Sequence, residues 1–322
     1  MIAGSAESRP ASRDELIPPE LAARLDRLDV TSRKMFPGAL PGERRSKKRG
    51  SSVEFDDYRT YVAGDDLRHI DWNVYARMDR LFIKLFREEE DLAVTVLLDT
   101  SASMDAGSPS KLLHAHRLAM SLAYVGLVAN NRVSIATFGS TAGYRRFPAS
   151  RGRRRVQAVG EFLLENLRLV PAEPSSGAVG FNDALQRASR ERTGKGVFIV
   201  ISDCLIREGY EPGIGVLADT ARGGFDTTVI QTLSPGELDP SADADRVLGD
   251  LRLSDIESGI EAEVTITAEL LEAYRRRVRS YCDDLAAFCR RRDVKHSLVT
   301  TSTPVEQIVL QNLRRLGVIG SG

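Results

Sequence analysis

The run Leu92-Ala93-Val94-Thr95-Val96-Leu97-Leu98, followed by Asp99-Thr100-Ser101-Ala102-Ser103, constrains this chain more than any other stretch. A continuous Val/Leu run without polar alternation reads as a strand buried on both faces, as in the middle of a parallel sheet. Such a strand delivers the next few residues to the carboxyl edge of the sheet, where open α/β folds bind their ligands. Here those residues bring one carboxylate and two hydroxyls, spaced Asp99-x-Ser101-x-Ser103. They are hard oxygen donors, suited to Mg²⁺ rather than to a soft metal. The competing reading is local: the same side chains cap the next segment or bond nearby amides.

The pattern after residue 91 surrounds that strand with others, of which Val197–Ser202 is again a buried one. Arg132–Phe138, Val197–Ser202, Thr227–Thr232 and His296–Thr301 read as strands, and Tyr144–Phe147 as a short antiparallel neighbour. Helices are expected at Ser110–Ala129, Val156–Leu167, Asn182–Arg190, Ile214–Arg222 and Ala268–Arg291, with a capped one from Thr303 or Pro304 to Leu313. The first is apolar nearly all round and should be deeply buried. Val247–Leu253 and Glu261–Thr267 resemble a hairpin joined through Glu257-Ser258-Gly259. This alternation predicts an α/β fold with a doubly wound, mostly parallel sheet. Upstream, residues 1–16 lack any period and are expected to be disordered. Pro18-Pro19-Glu20 opens a short helix with Leu21, Leu25 and Leu28 on one face, 37–52 is an exposed loop, and Leu81–Phe86 reads as an edge strand. The division expected is a disordered start (1–16), an N-terminal extension (17–90) and the α/β domain (91–316).

Composition narrows the partners. Lys plus Arg equals Asp plus Glu at 45 each, so no global field recruits nucleic acid or an anionic membrane. The basic clusters Arg44–Arg49, Arg151–Arg155, Arg275–Arg279 and Arg290–Arg292 are scattered and offset by acidic runs such as Glu88-Glu89-Glu90-Asp91, so they read as solvated surface. No apolar run is long enough to span a membrane, and the first residues lack the apolar core of a secretory signal. The cytoplasm is the expected compartment. Cys282 and Cys289 fall on one helix about 10 Å apart along its axis, too far for a disulfide, and read with Cys204 as core residues. His69, His114, His116 and His296 form no ligand pair, since His114 and His116 point to different sides of their helix.

Nucleophile-elbow and phosphate-loop motifs are missing from the sequence, and Ser101 stands where an aspartyl phosphatase carries its second Asp. Gly139-Ser140-Thr141-Ala142-Gly143 reads as a hairpin turn.

Asp99-x-Ser101-x-Ser103 resembles the first loop of a metal-ion-dependent adhesion site, and the chain here resembles a von Willebrand factor A-type domain. That resemblance implies a third loop with an Asp after a later buried strand, which Asp203 satisfies, and a second loop with a Thr before a helix containing Ala-Leu. Ala184-Leu185 marks that helix, but Gly177-Ala178-Val179-Gly180 stands where the Thr belongs. Ser175, Ser176, Asn182 and Asp183 lie nearby at other spacings. The implied Mg²⁺ site is therefore Asp99, Ser101, Ser103 and Asp203, with one loop departing from the pattern.

A second segment sharpens the resemblance. Gly64-Asp65-Asp66-x-Arg68-x-Ile70-Asp71-Trp72, then Ala76-Arg77, then Asp99-x-Ser101-x-Ser103-Met104, is similar to the signature of domain-of-unknown-function family fifty-eight, from about Leu21 to Leu316. The segment holds the chain's only Trp, and bidentate Arg–carboxylate pairs around Arg59 and Arg68 are expected to fix it against the sheet. Its other reading is a structural lock for the N-terminal extension. The resemblance implies a non-enzymatic protein-interaction module, partnered by a MoxR-type AAA+ ATPase in chaperone-like assembly or maturation. The competing function is a metal-dependent hydrolase using Asp99 and Asp203 at the same sheet edge, and a scaffold without any ion is a third.

Overall fold

The computed structural model describes residues 9–32, 55–86, 92–169, 179–240, 248–254 and 261–321. Contacts divide the chain into two units, one of Met1–Met35 with Leu92–Gly322 and one of Phe36–Asp91. The first begins with α1 (Arg13–Leu16), α2 (Pro19–Leu25) and β1 (Leu28–Val30). The second supplies β2 (Phe55–Thr60), α3 (Trp72–Met78) and β3 (Phe82–Phe86). The first resumes with β4 (Leu92–Asp99), α4 (Lys111–Val128), β5 (Arg132–Ser140), β6 (Gly143–Ser150) and α5 (Val156–Arg168). It continues through α6 (Phe181–Glu191), β7 (Lys195–Ser202), α7 (Glu211–Arg222), β8 (Phe225–Leu233) and α8 (Pro235–Leu238). The hairpin β9 (Gly249–Ser254) and β10 (Glu261–Ile266), α9 (Ala268–Arg291), β11 (Lys295–Thr300), α10 (Val305–Gln307) and β12 (Ile319–Ser321) complete it.

Six strands form the central sheet in the order β11-β8-β7-β4-β5-β6. Every pairing is parallel except the β5–β6 hairpin. From β4 the chain winds outward through β5 to β6, and from β7 it winds the opposite way through β8 to β11. The order therefore reverses between β4 and β7, the switch point at which doubly wound sheets bind ligands. The expected α/β, doubly wound, mostly parallel architecture is observed.

Burial is deepest in inner strands of the sheet. Every residue of β4 and β8 is buried. Helix α4 lies close on one face of the sheet, because Gly126 lacks the Cβ that would stand 2.6 Å from the Val133 side chain. On the other face Leu97, Phe198, Val200 and Phe225 pack with Leu185 of α6, Ile214 and Leu217 of α7, and Leu285 and Cys289 of α9. Gly196 is required where β7 passes β4, since its φ is +153° and a Cβ would meet the Ala93 carbonyl oxygen at 2.0 Å.

Several expectations change. Residues 13–16, placed in a disordered start, form a helical turn with Leu16 buried. The strand expected at Leu81–Phe86 is β3, which pairs with β2 in a separate two-stranded sheet and not in the central one. The helix expected to run to Leu313 is a short turn prolonged as a π-helical stretch, Ile308–Leu313, and its N-cap is Pro304 without a side-chain cap. The turn Glu257-Ser258-Gly259 and the runs Arg44–Arg49 and Glu88–Asp91 lie outside the described residues. All three cysteines are free and buried. No helix among the described residues is long and apolar enough to cross a membrane.

Candidate functional site

Strands β4 and β7 lie side by side with Leu98 opposite Ile201, so Asp99 and Ser202 leave the sheet together. Asp99 is buried, and each carboxylate oxygen is engaged: the Ser101 amide donates to Oδ1 at 2.9 Å and the Ser202 hydroxyl to Oδ2 at 2.6 Å. The Ser101 and Ser103 hydroxyls stand 3.2 Å apart and are half-buried. The loop that carries them is held from β5. Thr100 donates through its hydroxyl to the Phe138 carbonyl at 2.6 Å, and Gly139, at φ +87°, packs so close that a Cβ would stand 2.8 Å from the Ser101 nitrogen. The structure thus brings Asp99, Ser101 and Ser103 together at the switch point.

Asp203 continues from β7 into a turn in which Cys204 takes φ +56°, an uncommon backbone region for a non-glycine residue. The Leu205 amide donates to Asp203 Oδ1 at 3.1 Å. Its Oδ2 accepts from the Lys111 ammonium at 2.9 Å. Lys111 is completely buried, and the same Nζ also donates to Glu237. Glu237 is the third residue of α8, and its Oε2 accepts from the amide (2.8 Å) and hydroxyl (2.9 Å) of Ser234 at the start of that turn. Helix α9 closes over the assembly, with the Tyr281 hydroxyl on the Cys204 carbonyl at 2.5 Å and the Tyr274 hydroxyl on the Glu237 carbonyl at 3.0 Å.

Burial, and after it the Asp203 charge, pushes the Asp99 carboxyl up to about 7, against the hydrogen bonds from Ser101 and Ser202. Burial works against the Lys111 ammonium, but the charges of Asp203 and Glu237 outweigh it and raise the group above its ordinary value. The Cys204 thiol is driven far up by burial, then by Asp203 and Asp99, so it stays protonated and is no nucleophile.

Lys111 and Glu237 are the residues that sequence reasoning missed. Each left a faint signal. Lys111 is the first residue of α4, where a cation opposes the helix dipole, and Ser234-x-x-Glu237 is a capping-box spacing. Of the second-loop alternatives, Ser175 and Ser176 lie outside the described residues. Asn182 is committed elsewhere: it donates to the Gly209 carbonyl and accepts from the Gly213 amide, tying α6 to α7, while Asp183 is exposed. Among the described residues no group of three or more His, Cys, Asp or Glu side chains gathers as a metal cluster. The donors of Asp99, Ser101 and Ser103 do fit a hard cation: two half-buried hydroxyls stand beside a buried carboxyl raised in pKa by burial and a neighbouring negative charge. Asp203 is committed to Lys111 and stands behind them.

The two histidines of α4 each face a backbone carbonyl. His114 Nε2 lies 2.9 Å from the Thr303 carbonyl oxygen, and His116 Nδ1 lies 2.8 Å from that of Leu112.

In the smaller unit the Gly64–Trp72 segment is tied to itself and to β2 and β3. Arg59 donates to Asp65 at 2.6 Å, and Arg68 reaches both oxygens of Asp66, with Nε at 3.1 Å from each and Nη2 at 2.7 Å from Oδ2. Asp71 caps α3 by accepting from the Asn73 and Val74 amides, and it also takes the Tyr58 hydroxyl at 2.9 Å and the Lys84 ammonium at 3.0 Å. The Lys84 hydrogen bond, then those from Tyr58 and the two amides, hold the Asp71 carboxyl down to about 2. Trp72 and Met78 on α3 are exposed.

Comparison with known proteins places this chain among relatives. Uncharacterized proteins of Mycobacterium tuberculosis and Mycobacterium bovis are 28% identical to it over 284 residues, covering 86% of this chain and 84% of theirs. Similar solved structures include a von Willebrand factor type A protein from Catenulispora acidiphila, at 18% identity and a TM-score of 0.33, covering 59% of this chain and 42% of that one. The SpRpn10 VWA domain matches at 11% identity and 0.37, covering 69% and 94%. An aerotolerance-related membrane protein from Bacteroides fragilis matches at 16% and 0.42, covering 70% and 99%. At these TM-scores none of the three bears on the site or its chemistry. Residues 57–282 match the family described as protein of unknown function DUF58. This chain belongs to that family.

Proposed function

We propose that this protein is a non-enzymatic protein-interaction module that engages a partner at the carboxyl edge of its central sheet, in the cytoplasm. The observation that carries the reading is the cluster at the switch point between β4 and β7. There two half-buried hydroxyls, Ser101 and Ser103, adjoin a buried carboxyl that accepts from an amide and a hydroxyl and from no cation among the described residues. In this proposal Asp99, Ser101 and Ser103 would hold Mg²⁺, with Asp203 behind them. When bound, the ion supplies a coordination position for a carboxylate of the partner. The residues themselves orient the loop: Gly139 lets it pack against β5, and Ser202 fixes the rotamer of Asp99. The partner we propose is a MoxR-type AAA+ ATPase, which the family resemblance implies, working with this chain in assembly or maturation.

The commitment of Asp203 weighs against the hydrolase alternative. Both of its oxygens accept hydrogen bonds, one from a fully buried ammonium, so it is poorly placed to serve as a general base. The test is capture of the purified cognate ATPase by the tagged chain in Mg²⁺ and in EDTA, alongside turnover of generic phosphate and ester substrates. Capture that needs Mg²⁺ and is lost in Asp99→Ala supports the reading. Turnover that Asp99→Ala abolishes overturns it in favour of the hydrolase.

A further inference from the structure

Lys111 is harder to explain than any other residue of the edge. A fully buried lysine is rare unless paired, and the first position of a helix is the wrong end for a cation. Packing alone does not account for it, because an apolar side chain would fill the same space without desolvating an ammonium. Its charge has a specific address. It sits between Asp203, which leaves β7 next to Asp99, and Glu237, which α8 holds in place through Ser234.

We infer that the Lys111 ammonium is a built-in cation of the carboxyl edge, which opposes divalent-ion binding at Asp99, Ser101 and Ser103 and thereby sets its affinity. The inference rests on the proposed ion site and goes beyond it by naming the residue that holds that site weak. The Lys111 ammonium bonds two carboxylates, Asp203 and Glu237, and Asp203 is in turn the charged neighbour of Asp99. A single ammonium neutralises one charge among them and commits Asp203 to itself. A divalent ion arriving beside Asp99 meets a fixed positive charge on the neighbouring carboxylate, in an interior where salt screens poorly. The acidic edge attracts the ion, and Lys111 cancels part of that attraction. A purely structural Lys111, tying α4 to α8, would change stability without setting the sign of any effect on ion affinity.

That sign is what the experiment reads. Mn²⁺ is titrated calorimetrically into the full chain, stripped with EDTA, as wild type, Lys111→Met and Glu237→Gln, with the melting temperature of each recorded. Lys111→Met should bind Mn²⁺ at least about tenfold more tightly than wild type and gain melting temperature on its addition. Glu237→Gln removes a negative charge while keeping the ammonium, so it should bind more weakly. General damage would shift both variants the same way, and such a result overturns the inference. So does a folded Lys111→Met variant whose affinity is unchanged or reduced, including one that binds no metal at all. Where Lys111→Met fails to fold, Glu237→Gln decides alone, and equal or tighter binding overturns the inference. The double variant Asp99→Ala/Lys111→Met separates the two claims. Binding that survives Asp99→Ala means the ion sits elsewhere, and the site reading and the inference fall together. Binding seen in Lys111→Met but absent from wild type, and abolished by Asp99→Ala, upholds the inference while ending the reading of the native chain as ion-dependent.

Discussion

Two acid-rich regions of this molecule are built in opposite ways. At the carboxyl edge, Lys111 meets residues 92 and 126 positions away, and Asp99 meets Ser202 across 103. In the Gly64–Trp72 segment, the pairs span 2 positions for Arg68–Asp66, 6 for Arg59–Asp65 and 13 for Tyr58–Asp71. The first set is buried and exists only when the whole sheet is assembled. The Arg68–Asp66 pair is open to solvent, and the segment's bonds hold a local turn and a helix cap. Charges that the entire fold must desolvate and match are costly to keep. In the inference above, the field of Lys111 at the proposed ion site is what that cost serves. The local set requires no such explanation, because capping α3 and pairing β2 with β3 accounts for it.

The largest expected effect comes from breaking the buried set. Asp203→Ala leaves the Lys111 ammonium with half its partners and should cost about 3 kcal/mol or more, read from urea denaturation at pH 7. A loss too small to measure would mean the two regions do not differ as described. Next is Gly139→Ala, which adds a Cβ against the Ser101 backbone at a positive φ. It should cost about 2 kcal/mol and weaken ion binding, since the hydroxyl loop must move.

Acidification separates the regions by a different route. Burial, partly offset by its bond to the Leu112 carbonyl, lowers the His116 pKa to about 4. The folded value lies below the unfolded one of about 6.5, so the unfolded chain binds the proton first and stability falls as pH drops from 6.5 toward 4. Between pH 7 and pH 5 this residue should remove about 2 kcal/mol, measured as the difference in pH slope between wild type and His116→Leu. Asp71 in the smaller unit behaves otherwise. Its carboxyl is held down to about 2, so its contribution is present above the unfolded value near 4 and is lost only as pH falls through about 2. Hydrogen exchange of α3 should therefore be unchanged between pH 7 and pH 5, once corrected for intrinsic rates. The smallest effect is expected from Arg68→Ala, which should leave the denaturation midpoint where it is.

Much of this was legible in the sequence, and the parts that were not share a cause. Continuous apolar runs announced β4 and β7, and the residues ending them placed Asp99 and Asp203 at the sheet edge, because burial on both faces leaves little alternative for such strands. The run Leu81–Phe86 looked similar but belongs to another sheet, since local pattern specifies a strand and not its partners. Lys111 escaped notice because a lysine opening a helix ordinarily faces water, and only the long-range placement of Asp203 and Glu237 buries it. Glu237 was hidden in the same way, its capping role being local and its ion pair not. Arg59 and Arg68 are expected to fix their segment against the sheet, but their carboxylate partners are local: Asp65, which ties the segment to β2, and Asp66 within the segment.

The most direct test is the affinity of the proposed partner, a purified MoxR-type AAA+ ATPase, in Mg²⁺, for three forms of the chain: wild type, Asp99→Ala and Arg68→Ala. Asp99→Ala should weaken binding at least about tenfold, the loss expected for a contact at the centre of an interface, while Arg68→Ala binds like wild type. The reverse pattern, with Asp99→Ala binding normally and Arg68→Ala losing the partner, would move the interaction site to the Gly64–Trp72 segment and contradict the account.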